Sequence, residues 1–131
     1  MKALIYVFAA LLLAGCASTW VDPHLSLRNS QVRVECITDP LGLGTRIENL
    51  LHDEGAEIKP ADSKNAGDLV LKVTYKFSKS DGGLNTIQAV KAQMVDERYH
   101  SVAARYQWEG SGDSQTEAAQ KLVDALTGTA R

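Results

Sequence analysis

Between Asp68 and Lys79 the side chains obey a two-residue period: Leu69, Leu71, Val73, Tyr75 and Phe77 alternate with Val70, Lys72, Thr74, Lys76 and Ser78. Only an extended chain sends every second residue to the same side, so this run predicts a strand with one buried and one wet face. Such a strand belongs in an antiparallel sheet that is covered on one side only. The period recurs over 86–95, where Val90, Ala92 and Met94 turn inward, and over 100–109, where Val102, Ala104, Tyr106 and Trp108 share a side. Ser80-Asp81-Gly82-Gly83 and the stretch Asp96 to Tyr99 supply the turns between them, which predicts a three-stranded meander.

Gln31 to Ile37 shows the same alternation, with Val32, Val34 and Cys36 on one side, and Ala56 to Lys59 reads as a brief further strand. Asp39-Pro40 opens a helical region in which Thr45-Arg46-Ile47-Glu48 matches a capping box, Leu43, Ile47, Leu50 and Leu51 form the apolar side, and Gly55 ends the helix. Gly110 to Asp113 breaks the chain before Ser114-Gln115-Thr116-Glu117, a second capping-box match. Ala119, Leu122, Val123 and Leu126 then make an apolar stripe that stops at Gly128. Both stripes need the same sheet face. The predicted fold is α+β, a two-layer sandwich in which two helices pack on one face of a four- or five-stranded, mainly antiparallel sheet. A chain of 131 residues has room for one such core.

The start of the chain is of another kind. Met1-Lys2 is followed by an uncharged, mostly apolar run from Ala3 to Gly15. As a helix it would span roughly 20 Å, short of the ~30 Å hydrocarbon layer, so it reads as the apolar region of a signal peptide. Leu13-Ala14-Gly15-Cys16 resembles the bacterial lipobox. The resemblance implies a lipid on the Cys16 thiol, cleavage of residues 1–15, and anchoring by two or more acyl chains, which holds a protein stably where one chain does not. The alternative is an ordinary secretory leader with an incidental cysteine. In proteins with this motif, Asp directly after the lipidated Cys favours the inner membrane. Here Ala17 and Ser18 follow, which implies the outer membrane with the domain facing the periplasm. The expected partition is a leader at 1–15, a lipidated tether at 16–30 that carries the turn signal Asp22-Pro23, and the α+β domain at 31–131. Trp20 and Leu25 of the tether would dock on the domain or sit at the membrane interface.

Charge and residue inventory narrow the function classes. A formal charge of −2, one unit more negative once Lys2 leaves with the leader, gives no footprint for a phosphate backbone, so nucleic acid is not an expected partner. With Cys16 acylated, Cys36 has no intramolecular disulfide partner; it is either a small buried hydrophobe or a reactive or partner-pairing thiol. Neither a paired-Cys motif nor His-Glu-x-x-His occurs, so neither a metal nor another cofactor is expected. Glu48 and His52 stand four apart on the first helix as a possible proton or metal pair, or as a solvated pair. His24 and His100 have no nucleophile pattern around them. Leu41-Gly42-Leu43-Gly44-Thr45 can be an anion cradle at a helix start or a plain connection; it lacks the remainder of either phosphate-loop motif.

The less bland feature is the predicted wet face. It gathers Arg33, Lys72, Lys76, Lys91 and Arg105 against the single acid Glu35, among Gln31, Thr74, Gln93 and Gln107. An acidic protein would thus present a local basic surface, suited to a phosphorylated glycolipid headgroup, an acidic glycan or an acidic protein segment. The same residues can also serve only to solubilise an open face.

Leu13 to Cys16, Thr45 to Leu51, Ala66-Gly67-Asp68-Leu69-Val70-Leu71 and the helix from Glu117 to Leu126 together resemble small bacterial outer-membrane lipoproteins whose domain is similar to the N-terminal domain of the TolB protein. Accessory lipoproteins of surface-polymer or secretin assembly share this build, although α/β pilotins usually carry a disulfide. The resemblance implies a non-enzymatic binding or assembly module held to the membrane at Cys16, with an envelope protein or anionic glycolipid as partner. A glycan-processing hydrolase using Glu48, His52 or Asp96, and a purely structural envelope lipoprotein, are the alternatives.

Overall fold

A computed structural model describes residues 16–60, 69–79 and 84–128. The leader at 1–15, the Ala66 to Asp68 approach and the Ser80 to Gly83 turn lie outside the described residues. The elements in chain order are β1 (Cys16–Val21), β2 (Gln31–Glu35), α1 (Leu43–Asp53), β3 (Glu57–Lys59), β4 (Leu69–Lys79), β5 (Asn85–Asp96), β6 (Ser101–Asp113) and α2 (Gln115–Thr127).

The predicted meander is present: β4 pairs antiparallel with β5, and β5 with β6. The sheet is larger than expected, however, with six strands among the described residues in the order β1-β6-β5-β4-β2-β3. The additional strand comes from the segment read as a tether. Cys16 pairs with Glu109 and Val21 with Ala104, so β1 is an antiparallel edge strand from its first residue. Farther along that segment, Leu27 is buried and Leu25 packs partly against the core. The other side of the sheet is parallel, because β2 pairs in parallel with both β3 and β4. A parallel neighbour requires a crossover, and α1 supplies it between β2 and β3.

Register divides the sheet into two chemically different sides. Val32, Val34, Leu69, Leu71, Val73, Val90, Ala92, Met94, Ala104, Tyr106 and Trp108 occupy one parity and are buried in a single cluster with the helix residues Leu43, Ile47, Leu51, Ala119, Leu122, Val123 and Leu126. Both helices therefore lie on that side, as the two apolar stripes require. They also touch each other, where the Arg46 guanidinium donates to Thr116 Oγ1 at 2.8 Å. At the far end of α2, Gly128 takes the left-handed conformation, φ 73°, that stops the helix.

The two helix starts are built differently. Ser114 Oγ accepts from the Glu117 amide at 3.2 Å and donates to the Glu117 carboxylate at 3.1 Å, so the second capping match caps α2. The first match does not cap α1. Thr45 lies inside that helix, whose N-cap is Gly42 in the left-handed region at φ 71° with no side-chain cap of its own. Asp39 takes over from upstream: its two carboxylate oxygens accept from the Leu43 amide at 2.7 Å and the Gly44 amide at 2.8 Å. A side chain at Gly44 would come within 3.0 Å of that carboxylate, which explains the glycine. Tyr75 of β4 ties the cap to the sheet, donating to Asp39 Oδ1 at 2.7 Å and accepting from the Leu41 amide at 3.0 Å.

This capping predicts a sharp asymmetry. Asp39→Ala removes two hydrogen bonds to a helix start and one from the Tyr75 hydroxyl, and should lower stability by about 1–3 kcal/mol in denaturant titration. Thr45→Ala should stay within about 0.5 kcal/mol of the parent. Equal effects at the two positions would contradict the assignment.

Candidate functional site

The side of the sheet away from the helices carries the opposite parity, and the register places its residues in cross-strand rungs. Glu35, Lys72, Gln93, Arg105 and Trp20 form one rung from β2 to β1. Thr74, Lys91, Gln107 and Ser18 form the next, and Lys76, Ala89, Glu109 and Cys16 occupy a third. At the strand spacing of a sheet, the first rung crosses roughly 19 Å. The five basic residues predicted to share the wet face do share it: Arg33 on β2, Lys72 and Lys76 on β4, Lys91 on β5 and Arg105 on β6.

The first two rungs floor a trough of about 740 Å³, lined centrally by Lys72, Thr74, Lys91, Gln93, Arg105 and Gln107, with Trp20 and Ile37 at its sides. Trp20 is 49% exposed and Ile37 is 97% exposed, so the trough offers a ring face and an aliphatic side chain beside its cations. Its one carboxylate is Glu35, which the Arg33 guanidinium engages at 3.1 Å. Among the described residues, Lys72, Lys76, Lys91 and Arg105 have neither an ion-pair partner nor a side-chain hydrogen bond. Their charge is directed at solvent. The arrangement can hold an extended anionic ligand, with amide and hydroxyl groups of Gln93, Gln107, Thr74 and Ser18 available for its neutral polar groups.

Sequence reasoning missed Ser18 and Trp20 as trough residues because β1 lies in the segment expected to be a tether, and Ile37 because it lies past the end of β2. The signal that could have found β1 is the β-branched and aromatic run Thr19-Trp20-Val21 just ahead of the Asp22-Pro23 turn.

The other candidate groups are not brought together. Glu48 lies on α1, where burial and then the nearby Asp39 charge raise its carboxyl pKa. His52 is exposed one turn farther along, and no hydrogen bond or ion pair joins the two. Asp96 ends β5 and is held by Arg98 at 3.0 Å, whose hydrogen bonds keep its carboxyl below the usual range. The Gly42 to Thr45 segment presents amides at a helix start, but the Asp39 carboxylate already occupies them. No group of three or more metal-type ligands occurs among the described residues. No helix among them is long and apolar enough to cross a membrane.

Cys36 falls just past the end of β2 and is half-buried. Burial, and secondarily the Asp39 charge, push its thiol from 9.0 up to about 11. Near pH 8 the thiolate fraction should then be about 100-fold below that of an unperturbed cysteine. Iodoacetamide should alkylate Cys36 correspondingly more slowly in the folded protein than in urea. Similar rates in both states would mark it as a reactive thiol.

Comparison with known proteins finds likeness of fold alone. No protein-family model matches the chain, and no curated protein matches it. Among solved structures, a PelC dodecamer from Paraburkholderia phytofirmans superposes with a TM-score of 0.57 at 15% identity, covering 82% of this chain and 90% of that one. A point variant of that dodecamer gives 0.56 at 14% identity, covering 82% and 89%. A minor lipoprotein from Acinetobacter baumannii gives 0.48 at 14% identity, over 79% of this chain and 95% of that chain. The fold is thus similar to that of the PelC structures, at 14% and 15% sequence identity.

Proposed function

We propose that the chain is a lipoprotein anchored through Cys16 on the periplasmic face of the outer membrane, and that it acts as a non-enzymatic binding or assembly accessory. Its open sheet face holds an acidic envelope protein segment or an anionic glycolipid. The observation that carries this reading is the trough of Lys72, Lys91 and Arg105, whose cations face solvent beside an exposed Trp20. Support for the anchor is the lipobox-like Leu13-Ala14-Gly15-Cys16, and Ala17 after it favours outer-membrane sorting. A binding role is favoured over hydrolysis because no hydrogen bond or ion pair joins Glu48 to His52 on α1, while Asp96 ends β5 and is engaged by Arg98.

A second reading, self-association into a higher oligomer, is favoured by one observation: a protein of similar fold is a dodecamer. Native mass spectrometry of the purified chain decides between a monomer and a defined multimer.

The binding reading is tested with two acidic polymers, polyglutamate for an acidic peptide and a polyuronic acid for an acidic glycan. Binding of one of them should weaken at least tenfold in Lys72→Glu/Arg105→Glu and weaken as salt rises, while the thermal unfolding midpoint stays near that of the parent. Binding of neither polymer, or retention of binding after charge reversal, contradicts it.

A further inference from the structure

The pairing of β1 begins at Cys16 itself, opposite Glu109 on β6. A domain anchored at that residue has no linker with which to stand away from the bilayer. The end of the sheet that carries Cys16 must then lie at the membrane surface.

That same end is where β4 finishes and β5 starts, because Lys76 and Ala89 sit on the rung of Cys16. Beyond that rung the two strands continue through the Phe77–Ile87 and Lys79–Asn85 pairs, a projection of roughly 10 Å. With Cys16 at the surface, the paired ends of β4 and β5 lie at that surface as well. The projecting part is apolar and basic. Leu84 is 72% exposed, and Phe77 is 42% exposed with its ring tilted against Tyr75 at 6.1 Å between centroids. Lys76 and Lys79 flank them without an ion-pair partner among the described residues. From Lys76 to Gln88 the sequence holds two lysines and one acid, Asp81.

We propose that the paired ends of β4 and β5 are a second membrane contact, in which Phe77 and Leu84 enter the headgroup layer of the bilayer while Lys76 and Lys79 meet anionic lipid phosphates. The proposal rests on anchoring at Cys16 and goes further by fixing the orientation of the domain. Apolar side chains at the interface and lysines near an anionic surface each add to binding, and together they turn a single attachment point into a two-point footing. The open trough then stands sideways to the bilayer and remains accessible from the periplasm.

The test uses the full chain, expressed with its leader, purified with its lipid and reconstituted into phosphatidylethanolamine and phosphatidylglycerol vesicles. An environment-sensitive fluorophore is placed at Leu84→Cys or, as a control, at Tyr99→Cys in the β5–β6 turn, both in a Cys36→Ser background. The expected result is vesicle flotation of both proteins, with emission from position 84 shifted to the blue and quenched by spin-labelled lipid several-fold more than emission from position 99. Flotation with equal quenching at both positions overturns the second contact and leaves the anchor standing. The same shielding of position 84 without vesicles means that a second copy covers these strand ends, and it also overturns the proposal. A mass without acyl groups at Cys16 overturns anchor and second contact together.

Discussion

A sheet with helices on one side only has to leave its other side in water, and strand register decides which residues are left there. In this protein the decision is made at the centre, where β4 alternates between buried Leu71 and Val73 and exposed Lys72 and Thr74. Shifting β4 by one residue against β5 would put Lys72 among the core residues and strand the leucines in solvent. Burial of the apolar parity therefore enforces the basic face, so fold and candidate site depend on the same constraint. The cost of burying an unpaired ammonium group greatly exceeds that of leaving a lysine exposed, which keeps the register from slipping.

Asp39 makes the second essential connection. It caps α1 and takes the Tyr75 hydroxyl, so the first helix is fixed to the central strand by a charge-assisted contact as well as by packing. Burial and that hydrogen bond push the Tyr75 hydroxyl up to about 12, which keeps it a neutral donor throughout the physiological range. The same carboxylate adds to burial in raising the pKa values of Cys36 and Glu48, so its charge is felt across the β2–α1 corner.

Much of this was legible in the sequence, for a physical reason: β4, β5, β6 and both helices bury one side, and burial writes a period into the chain. Even there the period has limits. Val70 is buried on the wet parity, and Phe77, on the buried parity, is largely exposed beyond a register shift after Lys76. Where no side is buried, nothing is written. Ala17, Ser18, Thr19 and Trp20 are all exposed, and β1 is held by backbone pairing to β6, which leaves no alternation of buried and exposed residues. The α1 cap escaped notice because Asp39 acts from several residues upstream across a left-handed Gly42, whereas Thr45 offered the familiar spacing. The basic face was readable because it is the complement of the core, while its flanking Trp20 and Ile37 required tertiary structure.

The account stands on the open face being the working surface of the protein, and the most direct measurement is photo-crosslinking in living cells from Gln93, at the centre of the trough, and from Gln120, exposed on α2. A photoreactive residue at 93 should form a discrete adduct with an acidic envelope component, which Lys72→Glu abolishes, whereas position 120 should form none. Adducts from position 120 alone, or from position 93 regardless of the charge at 72, would contradict the account.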